Sequence, residues 1–425
     1  MKFGAITAAL YSAVTAWLGL GGAVQAQDGL FFQRDRNVSV LDRPRREYDA
    51  PGFREGPFIV RPSVELGLEY DTNIFSTGSN DESDFIAIFS PEVELESTWS
   101  RHKVMADAMV ERRQYFDFSD ESVWNGSLGA GGRLDIQRGF YAEAGVRRSR
   151  MTEDRSSAAV LVAAAEPVRF DTSSVFAGLV RESGRIRLEG RVEFDAFDFD
   201  DVPLNGGGVG DQDFRDRDEV RFVARADAAV TPDTSLFGRL TINDRDYDLA
   251  PPLAVLDRSS SGHTVDAGAD FDIGGLARGE VALGYTEQEY NSAAIPNVDG
   301  LSVNAAVEWF PTPLTTVTLG AKRGIEDSAI PGSGAFVATS ASAQVDHELL
   351  RNLIFTGRVN FGDDEYEGID RTDERFEVLA SAVYLANRNV GFRASVSRLD
   401  EQSSGAASRA DFDETKVMFS VELRI

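Results

Sequence analysis

Residues 185–197 read RIRLEGRVEFDAF. Arg185, Arg187, Glu189, Arg191, Glu193 and Asp195 are charged, and Ile186, Leu188, Gly190, Val192, Phe194 and Ala196 lie between them. A period of two sends successive side chains to opposite faces of a β-strand. One face of this strand is apolar and the other is ionic along its whole length. Alternation of this kind fits any sheet with one wet face, a soluble β-sandwich included. The rest of the chain has to decide what kind of sheet it is.

The pattern recurs from residue 57 to residue 425 at intervals of roughly 20 residues. Val220 and Phe222 alternate with Arg221, and Arg225 and Asp227 continue the charged face. Arg239 falls in the next such run, and Asp266 and Asp270 alternate with Val265, Ala267 and Ala269 in the one after it. The chain closes on KVMFSVELRI, with Val417, Phe419, Val421, Leu423 and Ile425 on one face and Lys416, Ser420, Glu422 and Arg424 on the other. The count is about 18 strands of roughly 10–14 residues, a suitable length for a tilted strand crossing a bilayer. They include 58–70, 185–198, 219–230, 352–362, 389–398 and 412–425.

The connections alternate short and long. Short ones hold turn residues, as in Gln137-Arg138-Gly139, Glu182-Ser183-Gly184, Thr231-Pro232-Asp233, Gly274-Gly275 and Asn387-Arg388. Long ones are rich in Gly, Ser and Asp, as in DDVPLNGGGVGDQDFRDRD before Glu219. A sandwich has no reason to alternate connection length, whereas an outer-membrane barrel places short turns in the periplasm and long loops outside. An even strand count then leaves both termini on the periplasmic side.

Bulk properties agree. Lys2, an apolar stretch and the small residues Val24 and Ala26 read as a signal peptide over residues 1–26, cleaved after Ala26. No later apolar run reaches the length of a membrane-spanning helix. The chain has no cysteine, so no disulfide framework or zinc-finger motif exists. Against 43 basic residues stand 70 acidic ones, a formal charge of −27, which argues against a nucleic-acid partner.

In lipid every backbone polar group must be paired, so strands can span only as a closed barrel. The expected fold is therefore all-β, a transmembrane antiparallel up-and-down β-barrel of about 18 strands over residues 57–425. Ile186, Leu188, Val192, Phe194, Val220, Phe222, Phe419, Val421 and Leu423 are expected to meet lipid. Arg185, Arg187, Glu189, Arg191, Glu193, Asp195, Arg221, Arg225, Asp227, Arg239, Asp266 and Asp270 are expected to line a lumen too wide for side chains to fill. Tyr70, Trp99, Tyr115, Phe116, Trp124, Phe140, Tyr141, Tyr290, Trp309, Phe310 and Tyr384 fall near strand ends, where interfacial girdles form. Residues 27–56 are polar and unpatterned and read as a periplasmic leader, either a flexible tail or a segment that docks a partner or enters the lumen.

Catalytic and metal chemistry find little support. His102 and His347 fall at short turns and His263 at a strand start, so they are expected to lie apart and to form no catalytic constellation. The acid-rich segments 71–84 and 363–374 lack EF-hand spacing and read as a solvated negative rim. The glycines at 206–208 lack the Lys-Ser/Thr of a phosphate loop. No catalytic residue, cofactor or metal is expected.

Residues 43–97 resemble the start of the putative β-barrel porin 2 family. The likeness rests on an arginine-rich leader with Arg43, Arg45, Arg46 and Arg54, on Gly56-Pro57-Phe58, and on Tyr70-Asp71-Thr72-Asn73-Ile74-Phe75. Short turns built on Thr-Pro, Pro-Thr-Pro and Asn-Arg-Asn are also similar. The final residue is Ile425, where outer-membrane proteins often end in an aromatic, and Phe419 and Leu423 keep that spacing. The resemblance implies a Gram-negative outer-membrane barrel, often linked to exopolysaccharide systems. The implied partners are outer-membrane lipid and lipopolysaccharide, the barrel assembly machinery and periplasmic polysaccharide-export proteins. The function expected is a channel passing an exopolysaccharide or another hydrophilic solute. A general diffusion porin and a non-transporting structural or adhesive barrel displaying acidic loops are the alternatives.

Overall fold

The computed structural model describes residue 32 and residues 37–158, 164–249, 256–330 and 332–425. The signal peptide read at 1–26 lies outside the described residues, as does most of 27–36. Eighteen antiparallel strands follow one another in chain order and close on themselves. The first nine are β1 (Phe58–Asp71), β2 (Asp84–Ser97), β3 (Lys103–Tyr115), β4 (Val123–Gln137), β5 (Phe140–Thr152), β6 (Arg169–Ser183), β7 (Ile186–Phe199), β8 (Arg217–Thr231) and β9 (Thr234–Tyr247). The rest are β10 (Ser260–Ile273), β11 (Ala277–Tyr290), β12 (Val298–Thr312), β13 (Thr315–Asp327), β14 (Ala335–Leu350), β15 (Leu353–Tyr366), β16 (Thr372–Leu385), β17 (Val390–Ser404) and β18 (Phe412–Arg424).

Pairing of β1 with β18 closes the barrel over nine residues, from Ser63 opposite Arg424 to Asp71 opposite Lys416. Below Ser63 the free edge of β1 is covered by a short strand, Phe53–Glu55, which runs back along Phe58–Val60. An uncovered edge would template pairing with another chain, so the leader finishes what β18 leaves open. At the other end the Tyr70-Asp71-Thr72-Asn73 turn ties the same seam. The Asn73 side-chain amide donates to the Thr77 and Asp413 carbonyls, and Thr415 N donates to the Thr72 hydroxyl.

Connections at one rim are tight. Gly139 and Gly184 take φ of +64° and +58° in two of these turns, a left-handed conformation that costs glycine nothing. The opposite rim carries the long loops, and β5–β6 and β7–β8 are joined there by 153–168 and 200–216. The β7–β8 loop has its own two-stranded hairpin, Val202–Pro203 with Val209–Gly210. Beneath these two loops Ala164, Val168, Phe170, Phe199 and Val202 form a small core.

Three strand ends at the loop rim run past the sequence reading for one reason. Strand β17 runs to Ser404 rather than 398, and β15 and β16 extend to Tyr366 and back to Thr372. Near the loop rim both faces of a strand become polar, as in Asp400-Glu401-Gln402, and the alternation that marks a strand disappears. The acid-rich segment 363–374 is thus mostly strand, with a loop of only 367–371.

Candidate channel interior

The register of β7 with β8 builds the inner wall. Arg187 stands opposite Asp227, Glu189 opposite Arg225 and Glu193 opposite Arg221. Opposite charges directly across a ladder stabilise the pairing. The side chains also bridge along their own strands, since residues two apart share a face. Arg187 Nη2 lies 3.3 Å from Glu189, and Arg191 Nε lies 2.5 Å from Glu193. Arg221 reaches Glu219 at 2.6 Å and Glu193 at 3.1 Å. Further round, Glu280 on β11 accepts from Arg225 at 2.6 Å and from Arg239 at 3.2 Å. Arg225 also holds Asp227 at 2.8 Å, and Arg239 holds Asp266 at 3.0 Å. Asp270 lies on the same face, 3.9 Å from Arg225, and Asp195 is buried at the upper end of the row.

Arg185 departs from this row. It precedes β7, is exposed at the turn rim, and donates to the Val230 carbonyl. On the outer face Ile186, Leu188, Val192, Phe194, Val220, Phe222, Phe419 and Leu423 are all exposed, and Val421 is half-covered. Nearly every strand adds residues to this apolar band, far beyond the few hundred Å² that a water-soluble surface tolerates. Trp99, Phe116, Trp124, Trp309 and Tyr384 are exposed at its margins. Tyr115, Tyr141 and Tyr290 have the other parity and face inward. Tyr141 lies under the Arg133 guanidinium at 3.6 Å, and Tyr290 packs against Ile295 and Val298.

The inner face also holds structure that the alternation did not announce. Residues 37–49 lie against the wall at the turn rim. The Asn37 side chain donates to Asp272 at 2.6 Å, Val40 N donates to the Thr316 hydroxyl at 2.9 Å, and Arg388 Nε donates to the Arg46 carbonyl. Arg45 is fully buried and reaches Glu348 at 3.0 Å, with Arg43 on the same carboxylate at 3.2 Å. Burial pulls the Arg45 guanidinium below its ordinary value, and Glu348 opposes that pull.

At the loop rim two segments fold inward. Pairing of β12 with β13 stops at Val303 and Arg323, while β13 continues with β14 alone to Asp327. The freed hairpin leans across the lumen. Asp327 meets Arg245 at 2.6 Å and the Tyr247 hydroxyl at 3.0 Å, and Ile325 and Val337 pack with Tyr290. The β5–β6 loop does likewise from another side. Glu153 holds Arg215 at 2.7 Å, Arg155 holds Glu121 at 2.6 Å, and Arg409 donates to the Ser156 and Ser157 carbonyls. Burial alone would raise the Asp154 carboxyl, but Lys416 and the hydrogen bonds from Ser156 hold it below its usual range.

The acid-rich segments prove to be struts as well as rim. Asp84 is buried and accepts from the amides of Asp117 and Phe118. Asp71 is buried and caps Asn73 N, while Asp364 and Asp373 are buried beside Arg375 and Arg371. Asp201, Asp211 and Asp213 converge in the β7–β8 loop but are exposed, and two of them bond the loop backbone. The histidines stand apart: His102 and His347 at the turn rim accept or share bonds with Asp135 N and Thr315, and His263 faces outward beside Glu287 on the loop-rim half.

A single family pattern matches residues 45–425. The chain belongs to the Putative beta-barrel porin 2 family. The match begins at Arg45, the residue buried in the mouth, and runs to Ile425. No curated protein matches the chain. Solved structures similar to this family member include three from Pseudomonas aeruginosa. The ferric enterobactin receptor PfeA has a TM-score of 0.46 at 8% identity, covering 86% of this chain and 80% of its own. OpdL has 0.46 at 14%, covering 87% and 99%, and OpdK with vanillate has 0.44 at 14%, covering 86% and 99%.

Proposed function

We propose that this porin-like barrel is an outer-membrane channel that passes a hydrophilic polymer, with an exopolysaccharide as the preferred cargo. The observation that carries the channel reading is the closed eighteen-strand wall with an apolar outer face and an ionic inner face. Only a closed sheet satisfies its backbone in lipid, and a barrel of this size is too wide to fill with side chains. Short turns then face the periplasm and long loops face outside, which puts the leader at the periplasmic mouth. Polymer as cargo rests on the family resemblance. Loss of the gene tests it: surface polymer should fall while uptake of small solutes stays unchanged. The reverse result would make the protein a general diffusion porin.

A further inference from the structure

The wall has one seam that stops short. The ladder between β12 and β13 keeps a single register from Trp309 opposite Val317 to Val303 opposite Arg323, and there it ends. Above that point β12 runs on through Ser302, Leu301, Gly300 and Asp299 with a strand partner only in β11 among the described residues. On the other side β13 runs on to Asp327 paired only with β14. Leu301 is exposed in the apolar band, opposite the exposed Tyr285, so the gap begins at the top of that band. The gap is open: a Cβ added at Gly300 or at Gly324 would meet no atom within 4 Å among the described residues. A strand edge without a partner is a template for pairing.

The missing partner is available from the neighbouring strand itself. Continued without a shift, the register sets Ser302 opposite Gly324, Leu301 opposite Ile325, Gly300 opposite Glu326 and Asp299 opposite Asp327. Ile325 would leave its packing with Tyr290 for a place beside Leu301 on the lipid side, exchanging one apolar surrounding for another. Asp327 stands against that arrangement twice. In the folded-in hairpin it accepts from Arg245 at 2.6 Å and from the Tyr247 hydroxyl at 3.0 Å, with Arg217 Nε at 3.6 Å. Arg258 donates to the next carbonyl, that of Ser328. In a zipped seam Asp327 would instead face Asp299, and like charges directly opposite destabilise a ladder.

We infer that the top of the β12–β13 seam is a two-state gate. Asp327 latches the hairpin tip inward and narrows the exit; release of the latch lets β13 zip onto β12, which completes the wall and widens the channel. The latched state gains charge-assisted bonds across the lumen. The zipped state gains ladder bonds for backbone groups that now lack a strand partner. Two discrete packings of the same residues are what allow a segment to switch.

The chain has no cysteine, so one introduced pair reports the seam. Gly300→Cys with Glu326→Cys puts thiols on positions that zipping sets directly opposite, about 4.5–5.5 Å apart at Cα and within reach of a disulfide. In the refolded full chain, oxidation should close this bond about tenfold faster once Asp327→Asn is added, the shift expected on losing a hydrogen bond between charged groups. Asp327→Asn alone, and the cross-link alone, should each raise single-channel conductance in planar bilayers, and reduction should reverse the effect of the cross-link. Arg245→Gln releases the latch from its other side and gives the same reading if Asp327→Asn does not assemble. A cross-linking rate that is equal with and without the latch overturns the gate, as does a cross-linked barrel that conducts no more than the parent. A barrel that carries no current in any form overturns the channel reading, and the cross-linking rate still decides the seam.

Discussion

Leu188 and Arg187 are neighbours in sequence and face opposite sides of one strand. Leu188 is half exposed in the apolar band, and Arg187 faces inward between Glu182 and Glu189. Leu188→Arg should therefore weaken or block barrel assembly, because a cation on the lipid face costs about 2–4 kcal/mol near the midplane. Arg187→Leu should leave assembly nearly intact, since the lost ion pairs are partly exposed to a wet lumen and such pairs contribute about 1 kcal/mol or less. Heat-modifiable migration on gels reads both, and equal tolerance would reverse the faces. Asp216, at the head of the β7–β8 loop, carries a pH prediction. Burial, then the nearby Asp198, Asp213 and Asp248, push its carboxyl up to about 6, against the bond from Phe199 N. A carboxyl raised on folding favours the folded state while protonated, and that contribution is lost as pH rises from near 4 through 6. Local protection of Phe199 N in hydrogen exchange should thus be greater at pH 5 than at pH 7.5, and Asp216→Asn should remove the difference. A dependence that persists in the variant would place its origin elsewhere.

At the scale of the element, alternation was legible wherever one face meets an apolar medium and the other a polar one. It failed near the loop rim. Phe197 and Phe199 carry the parity of Arg191 and Glu193, and they stack under Arg217 and Arg215 at 4.2 and 4.0 Å. Inward aromatics at Tyr247 and Tyr290 signal the same thing, a wall covered by a folded-in loop. That signal was present in the sequence, but period-two reading assigns aromatics near strand ends to a girdle. The leader was less legible still. Its anchors are single polar residues whose partners lie more than two hundred positions away, as Asn37 and Asp272 do. Its attachment can be tested at Glu348. Glu348→Ala leaves Arg45 buried without its carboxylate, a loss of about 3–5 kcal/mol when no substitute partner exists. Trypsin should then cut the leader of the folded barrel at Arg45 or Arg46, sites protected in the parent protein. Unchanged protection would mean that the backbone contacts hold the leader alone.

For the whole molecule, closure follows from counting strands and connections, and it was open to sequence reading because each hairpin repeats the same physics. What the lumen passes was not, because selectivity depends on which inward groups are already paired. Twofold use of Glu280 by Arg225 and Arg239 is a fact of three-dimensional register, not of spacing. The acid excess of 70 against 43 residues nevertheless sets the sign of the field at the mouths. Carboxylates there raise cation concentration within a Debye length, about 8–10 Å at ordinary salt. The most direct measurement is single-channel current across a planar bilayer with a salt gradient. Discrete steps are predicted, with a reversal potential showing mild cation preference that fades at high salt. Silence would contradict the channel itself, and firm anion selectivity would contradict the electrostatics of its wall.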